Sequence, residues 1–140
     1  MKSVYEKNYD LMVKLAIIRD GDVSNYRKSL SQGYMDLVVK RNSLLDGMKN
    51  QNCIGFSMAH YYTQNGDLCS DPVMEILFYP DLDMVEAFSF EMSIPPIYTV
   101  VYLDEKVNIK AKKELNDFLN QWLRNLVEQG HGVNWVSQPE

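Results

Sequence analysis

Apolar residues recur at helical spacing near the N-terminus of the chain. Tyr5, Tyr9 and the apolar residues that follow them form one stripe of a helix predicted over Val4 to Ile18. Ser3 and Glu6 fit a capping box, in which the serine side chain accepts the N–H of the third helical residue and the glutamate reaches back. The pattern therefore predicts both the helix and its start.

A second and longer helical pattern covers Ile109 to Gln129. Its apolar residues follow helical spacing and form one continuous stripe: Leu115, Phe118, Leu119, Trp122, Leu123 and Leu126. Gly130 stands where a residue in the left-handed conformation commonly ends a helix. A helix of this length spans about 31 Å, enough to cover one face of a sheet.

Between these helices the period changes to that of β-strands. Strands are predicted over residues 34–40, 53–63, 73–79, 84–91 and 97–103. Asn65-Gly66 is a strong hairpin signal because both residues tolerate positive φ. Asp71-Pro72 is expected to interrupt the returning strand, since proline cannot donate to a central ladder. Residues 23–32 are polar and are predicted as a loop, with a short helical turn around residues 25–30 as the alternative.

Together these elements predict an α+β domain: an antiparallel sheet of four to five strands, flanked by an N-terminal and a long C-terminal amphipathic helix. A chain of 140 residues has the usual length of a single domain. We expect the domain to cover residues 1–132 and a C-terminal tail to cover residues 133–140.

Hydropathy and cysteine usage bear on the compartment. No apolar run reaches the roughly 18–20 residues that a membrane span needs, and the N-terminus does not have the pattern of a signal peptide. The two cysteines, Cys53 and Cys69, have no metal-ligand spacing and are expected to be reduced thiols. We therefore expect a cytoplasmic protein with no membrane contact.

The net charge of −5 is distributed unevenly along the chain. Residues 50–105 contain nine acidic residues and no lysine or arginine, whereas the segments on either side carry small positive excesses. The block is also rich in aromatic residues, which can stack bases in some RNA-binding sheets. Because nucleic-acid affinity depends mostly on phosphate neutralisation, direct nucleic-acid binding by this sheet is not expected.

The acidic block has two interpretations. The first is the polar, solvated face that an antiparallel sheet presents to water. The second is an acidic, aromatic surface that complements a basic protein partner and is steered to it electrostatically. Under the second interpretation the partner-binding candidates are Asp71, Glu75, Asp81, Asp83, Glu86 and Glu91.

Candidate catalytic residues are few. His60 and Tyr62 share one side of an alternating strand, so a sheet-lined pocket around them, in a small enzyme or ligand-binding domain, is the alternative hypothesis. The pair Asp81 and Asp83 lies in a turn, where aspartate is expected for local hydrogen bonds, and no metal site is predicted. No nucleophile elbow or phosphate-binding glycine loop occurs, and no cofactor is predicted.

Two segments carry a resemblance to a known group. Met74-Glu75-Ile76-Leu77-Phe78, and the helix Leu115-Asn116-Asp117-Phe118-Leu119-Asn120-Gln121-Trp122-Leu123, resemble the strand and the closing helix of the uncharacterised YqiB-like bacterial families. The resemblance implies an α+β domain of unknown function whose relatives are often carried by phages and plasmids. It implies no catalytic residues.

The charge distribution and the resemblance lead to one functional hypothesis. We expect a non-enzymatic interaction domain, encoded by a phage or mobile element, that binds and inhibits a basic host protein such as a nuclease or a nucleic-acid-binding complex. An inhibitor of host defence of the anti-CRISPR kind is its most specific form. A homo-oligomer that associates through sheet aromatics such as Tyr61, Tyr98 and Tyr102 is a further possibility.

Overall fold

A computed structural model describes residues 1–137. It contains two α-helices, α1 (Val4–Lys14) and α2 (Ile109–Glu128), and two short 3-10 helices, Ser43–Leu45 and Met48–Asn50. Seven strands form one antiparallel sheet: β1 (Tyr26–Leu30), β2 (Leu37–Arg41), β3 (Ile54–Gln64), β4 (Asp67–Tyr79), β5 (Met84–Met92), β6 (Ile97–Val100) and β9 (Asn134–Val136). A separate short hairpin consists of β7 (Tyr102–Leu103) and β8 (Lys106–Val107). The α+β prediction is confirmed, although the sheet has seven strands rather than four to five.

The strand order is β6-β5-β4-β3-β2-β1-β9, so the sheet is a meander from β1 to β6 with the C-terminal strand added beside β1. Each neighbouring pair is antiparallel. Both helices pack on the same face of the sheet, here called the inner face. The main core lies between them and contains, among others, Met12, Leu123, Phe56, Ile76 and Phe78.

The capping box predicted at the start of α1 is confirmed. The Glu6 N–H donates to Ser3 Oγ at 3.3 Å, and the Ser3 N–H donates to Glu6 Oε1 at 3.0 Å. The helix ends at Lys14 rather than Ile18 because Ala16 adopts a left-handed conformation, with φ of 59°. Ile18 nevertheless remains in the core.

Strand β1 lies where the sequence predicts a loop or a helical turn. Its inward positions are occupied by Arg27 and Ser29, both buried, so the strand lacks the apolar alternation that identifies β-strands. Arg27 donates to the carbonyls of Ala16 and Ile17, just after α1. These non-local contacts engage Nη2 of Arg27 and hold the strand against the end of α1, while Nε and Nη1 of the same side chain have no hydrogen-bond partner among the described residues.

Strand β9 lies within residues 133–140, the segment that the sequence predicts as a tail. Trp135 donates its indole N–H to the carbonyl of Leu15 at 3.2 Å, and its ring stacks on the Arg27 guanidinium at 4.2 Å. Residues 134–136 are thus part of the sheet. The last three residues of the predicted tail, 138–140, lie outside the described residues.

Proline does not interrupt β4, contrary to the sequence-based expectation. The pairing shifts between Ala59 and Tyr61 of β3, so that Asp71 and Pro72 together lie opposite one residue. A bulge of this kind accepts a proline because the extra residue does not need to donate to the ladder. The strand therefore continues on both sides of Pro72.

An asparagine network joins both helices to β5. Asn8 donates to the carbonyl of Asn116 at 3.2 Å and accepts from the Asn120 side chain at 2.9 Å. Asn116 Oδ1 in turn accepts the backbone N–H of Ala87 at 2.8 Å. Because Asn8 and Asn116 are buried, these bonds avoid the cost of unpaired polar groups in the core.

The opposite face of the sheet, here called the outer face, is covered only in part. Segment 42–52 and the β7–β8 hairpin pack over one end of it, around Leu77 and Phe88. Gly55 permits this contact because a side chain there would collide with Leu45, whose Cβ would lie 2.3 Å away. No helix in residues 1–137 is long and apolar enough to span a membrane.

Candidate functional site

The uncovered part of the outer face contains a cleft of about 440 Å³ that runs across β2 to β6, here called the outer groove. Glu75 of β4 and Glu91 of β5 line one half of it, together with Tyr98 of β6. Lys40 and Arg41 of β2 line the other half. The groove therefore has an acidic half and a basic half.

The acidic half is built by cross-strand neighbours. Glu91 lies directly opposite Tyr98 in the β5–β6 pair, and both side chains are exposed. Glu75 is held in place, since its carboxylate accepts from Ser89 Oγ at 2.8 Å and from Asn42 Nδ2 at 2.7 Å. Burial raises the pKa of Tyr61, and the charge of Glu91 raises it further.

The basic half is partly neutralised. Arg41 forms ion pairs with Asp22 at 3.2 Å and with Asp46 at 2.7 Å, and Asp46 also accepts the N–H of Gly55. Lys40 is exposed and lies 5.9 Å from the ring of Tyr26. A ligand in the groove would thus meet, on one side, two carboxylates that have no ion-pair partner among the described residues, and on the other side chiefly the ammonium group of Lys40.

The six acidic candidates do not form one surface. Only Glu75 and Glu91 face the outer groove. Asp71 lies near the bulge, where its charge acts on the pKa of His60, which belongs to the inner face. The remaining three lie at the other end of β4 and β5: Asp81, Asp83 and Glu86.

Asp81 and Asp83 occupy the turn between β4 and β5, as the sequence indicates. Asp81 accepts from Asn52 Nδ2 at 3.1 Å, and Asp83 adopts a left-handed conformation with φ of 52°. Both are exposed. Within residues 1–137, no cluster of three or more histidine, cysteine, aspartate or glutamate side chains is arranged to hold a metal ion.

Glu86 is buried, with 5% of its surface exposed. Its carboxylate accepts from Tyr79 at 2.8 Å, from the Tyr102 hydroxyl, and from Lys112 Nζ at 3.2 Å. Lys112 also donates to Tyr102 at 3.1 Å. The carboxylate therefore joins α2 to the sheet and to the β7–β8 hairpin and is not displayed to solvent.

Two groups of this cluster, the Tyr79 hydroxyl and the Lys112 ammonium group, hold their protons tightly. Burial, followed by the adjacent Glu86 carboxylate, raises the pKa of Tyr79. Burial alone would lower the pKa of Lys112, but its bond to Tyr102 and the charge of Glu86 outweigh burial and raise it. Both groups thus stay protonated near neutral pH, where a catalytic base must be able to accept a proton.

A small cleft of about 170 Å³ lies beside this cluster and is lined by Tyr5, Leu82, Met84 and Lys112, among others. It is smaller than most small-molecule sites, which enclose about 300–1,000 Å³. The Lys112 ammonium group on its wall is already paired with Glu86. The cluster is therefore best explained as structural.

A comparison with protein families places the chain in a group. The family model described as "Domain of unknown function (DUF6908)" matches residues 6–132, which is most of the chain. The chain belongs to the DUF6908 family. No curated protein and no solved structure matches it. The family match contains no link to the YqiB-like group or to phages, so that part of the resemblance stays a prediction.

In this DUF6908 domain, His60 is buried and both of its ring nitrogens have partners. Nδ1 lies 2.9 Å from the carbonyl of Asp36, and Nε2 accepts from the Trp122 indole at 3.1 Å. Burial lowers the pKa of His60, although Asp36 and Asp71 partly oppose that shift. The ring is therefore neutral and fastens α2 to β3.

Tyr62, the second residue of the alternative pocket, is half-buried and pairs with Cys69 in β4. The outer groove and the cleft beside Glu86 are lined by other residues. With both nitrogens of His60 engaged, the geometry of the DUF6908 domain gives the alternative pocket no support.

The second histidine, His131, extends the cluster around His60. Its Nδ1 lies 2.9 Å from Ser29 Oγ, which also accepts the N–H of Gly132 at 3.0 Å. The two imidazole rings lie 6.2 Å apart. Burial, and then the neighbouring His60, lowers the pKa of His131.

Sequence reasoning did not identify the burial of Glu86. A signal was present, because Glu86 stands between Val85 and Ala87 in an apolar stretch of β5. An acidic residue in such a position is either exposed to water on an uncovered face of the sheet or buried and paired with a polar or basic partner. The choice depends on Lys112, which lies 26 residues away in the chain and which the sequence cannot place.

Proposed function

We propose that this DUF6908 domain is a non-enzymatic interaction domain and that the acidic half of its outer groove binds a basic segment of a protein partner. The observation that supports the proposal most directly is the position of Glu75 and Glu91. Both lie on the uncovered face of the sheet beside the exposed ring of Tyr98.

The chemistry of the acidic half fits such a partner. Glu91 has no ion-pair partner among the described residues, and neither has Glu75, whose hydrogen bonds come from neutral groups. Tyr98 and Tyr61 add aromatic surface, on which lysine and arginine side chains pack favourably. Aromatic side chains with a polar end are also common anchors in protein interfaces.

The more specific form of the proposal concerns the identity of the partner. A basic host protein, such as a nuclease or a nucleic-acid-binding complex, would present the lysines and arginines that the groove complements. Inhibition of that protein, of the anti-CRISPR kind in its most specific form, would follow from occupying its basic surface. Two things support this more specific form: the charge of the groove, and the resemblance to families that are often carried by mobile elements.

The test is binding of a lysine-rich peptide, measured by fluorescence anisotropy at low and at high salt. Glu91→Lys is expected to weaken binding about five- to tenfold at low salt, because it removes one attraction and adds one repulsion. The difference should shrink at high salt, where exposed charges are screened.

Glu128→Lys is the matched control. It makes the same change of charge at an exposed position in the last turn of α2, on the opposite side of the sheet from the groove. Its affinity should stay close to that of the wild type. Equal losses in the two variants would mean that only net charge matters and would remove the assignment to the groove.

A further inference from the structure

We propose that the basic segment binds as an additional β-strand along the free edge of β6. This inference rests on the proposed function, since it specifies how the partner of the outer groove is held. It adds a geometric requirement, namely an extended backbone, that charge complementarity does not impose.

The first observation is that β6 is the last strand at its end of the sheet. The Val101 N–H donates to the Phe88 carbonyl at 2.9 Å, which fixes the direction of the backbone groups. In an antiparallel pair these groups alternate, so Tyr98 and Val100 direct their N–H and C=O groups away from β5. Such an edge is a template for one more strand.

The second observation is a groove along this edge. A cleft of about 530 Å³ lies between β6 and the β7–β8 hairpin, and its lining includes Tyr98, Val100, Leu103, Lys106 and Val107. Four of these side chains, Tyr98, Leu103, Lys106 and Val107, are exposed. The edge therefore has a second wall, which gives an added strand side-chain contacts as well as backbone hydrogen bonds.

The third observation is that β6, although short, carries none of the charged or proline residues that often protect edge strands. Natural edges carry lysine, inward-pointing charges, proline or a bulge to prevent pairing with another chain. Residues 97–100, Ile-Tyr-Thr-Val, contain none of these, and the β5–β6 pairing is regular. Pro95 and Pro96 directly precede β6, so the accessible edge is about as long as β6 itself.

The charges around the edge determine the chemistry of the segment and the position of its basic residue. Glu91 lies opposite Tyr98 and marks one end of β6, whereas Lys106 lies at the hairpin end. Side chains of an added strand alternate between the two faces of the sheet. The occupant is therefore an extended segment with alternating basic and apolar residues, whose basic residue lies near Glu91 and Tyr98.

The probe for this inference is an end-capped octapeptide of alternating lysine and valine, titrated against the full chain by calorimetry. Two further peptides carry N-methyl groups on alternate residues, either on the lysines or on the valines. An added strand donates to β6 only through the N–H groups that face it, and these belong either to the lysines or to the valines. The peptide methylated on that kind of residue should lose at least about tenfold in affinity, while the other methylated peptide stays within about twofold.

Equal binding of all three peptides would overturn strand addition and leave the proposed function intact. If the unmodified peptide did not bind at low salt, the proposed function itself would fail, and strand addition with it. The two failures are thus distinguishable. Because the methylated peptides carry the same charge, electrostatic attraction alone cannot mimic the expected asymmetry.

Val100→Pro tests the same inference from the side of the protein. Its N–H faces away from β5, so the substitution removes an edge donor without removing a bond inside the sheet. The variant should keep a folded far-ultraviolet spectrum and lose at least about tenfold in affinity for the unmodified peptide. If the variant does not fold, the pair of methylated peptides decides the question.

A second copy of the chain is the competing occupant of the edge. Sedimentation velocity over a wide concentration range should show a monomer for the wild type. A dimer that dissociates in Val100→Pro would mean that β6 pairs with itself, and it would overturn the assignment to a partner segment. A folded Val100→Pro variant with unchanged peptide affinity would overturn it as well.

Discussion

The two faces of the sheet use similar side chains for different purposes. On the inner face, α1 and α2 exclude water, and buried polar side chains such as Asn8, Asn116 and His60 are hydrogen-bonded to neighbouring elements. On the outer face, only one end is covered, and Glu75, Glu91 and Tyr98 stay accessible around a groove. Stability is therefore expected to depend on the inner face and binding on the outer one.

The outer face by itself shows how one residue type can serve two purposes. Glu91 and Glu86 lie on the same strand, five residues apart, and both point toward the outer side of the sheet. Glu91 is exposed in the groove, whereas Glu86 is covered by the β7–β8 hairpin and paired with Lys112. Coverage by a neighbouring element, and not residue type, separates a binding residue from a structural one.

The largest effect should come from the inner face. Leu123→Ala removes a fully buried side chain of α2 and should lower the free energy of unfolding by about 2–5 kcal/mol. Tyr98→Ala, on the outer face, should change it by no more than about 0.5 kcal/mol. Urea denaturation measures both. Comparable losses would mean that the outer face contributes to the core after all.

A smaller effect should come from the covered end of the outer face. Glu86→Leu leaves Lys112 without its carboxylate and should cost about 1–3 kcal/mol in urea denaturation. The double variant Glu86→Leu/Lys112→Met removes the unpaired ammonium group and should recover part of that loss. If the double variant instead lost as much stability as the two single substitutions together, Glu86 and Lys112 would not stabilise each other, contrary to their geometry.

The histidines on the inner face should make stability depend on pH. Burial lowers the pKa of His60 and His131 in the folded state, while the unfolded chain keeps the ordinary value near 6.5. As the pH falls below about 6.5, the unfolded state therefore binds more protons, and stability falls until the folded-state values are passed.

The measurement is the urea midpoint at pH values of about 7.5 and 5.5. The difference between them should be smaller in His131→Gln than in the wild type, whatever the absolute stability of that variant. An unchanged difference would show that His131 does not titrate in this interval.

The smallest effect should come from the open end of the outer face. Glu91→Lys should change the free energy of unfolding by no more than about 0.5 kcal/mol, because an exposed carboxylate without an ion pair contributes little to folding. The same variant is expected to lose peptide affinity. A large loss of stability would mean that its binding defect reports on folding and not on the groove.

Features with local causes could be predicted from the sequence. The capping box of Ser3 and Glu6 involves residues three apart, and the stripe of α2 repeats within one helix. The Asn65-Gly66 turn lies between β3 and β4 as predicted, with both residues at positive φ. Each of these depends on short-range geometry, which the order of residues determines directly.

Features with distant causes were decided only by the tertiary structure. Strand β1 exists because its buried Arg27 reaches the carbonyls after α1, and β9 exists because Trp135 stacks on that same arginine. Strand pairing and the packing of α2 determined which residues of the acidic block are exposed, which lie in a turn and which are buried. The sequence determined the charges and the helices, whereas non-local contacts determined which charges water and a partner can reach.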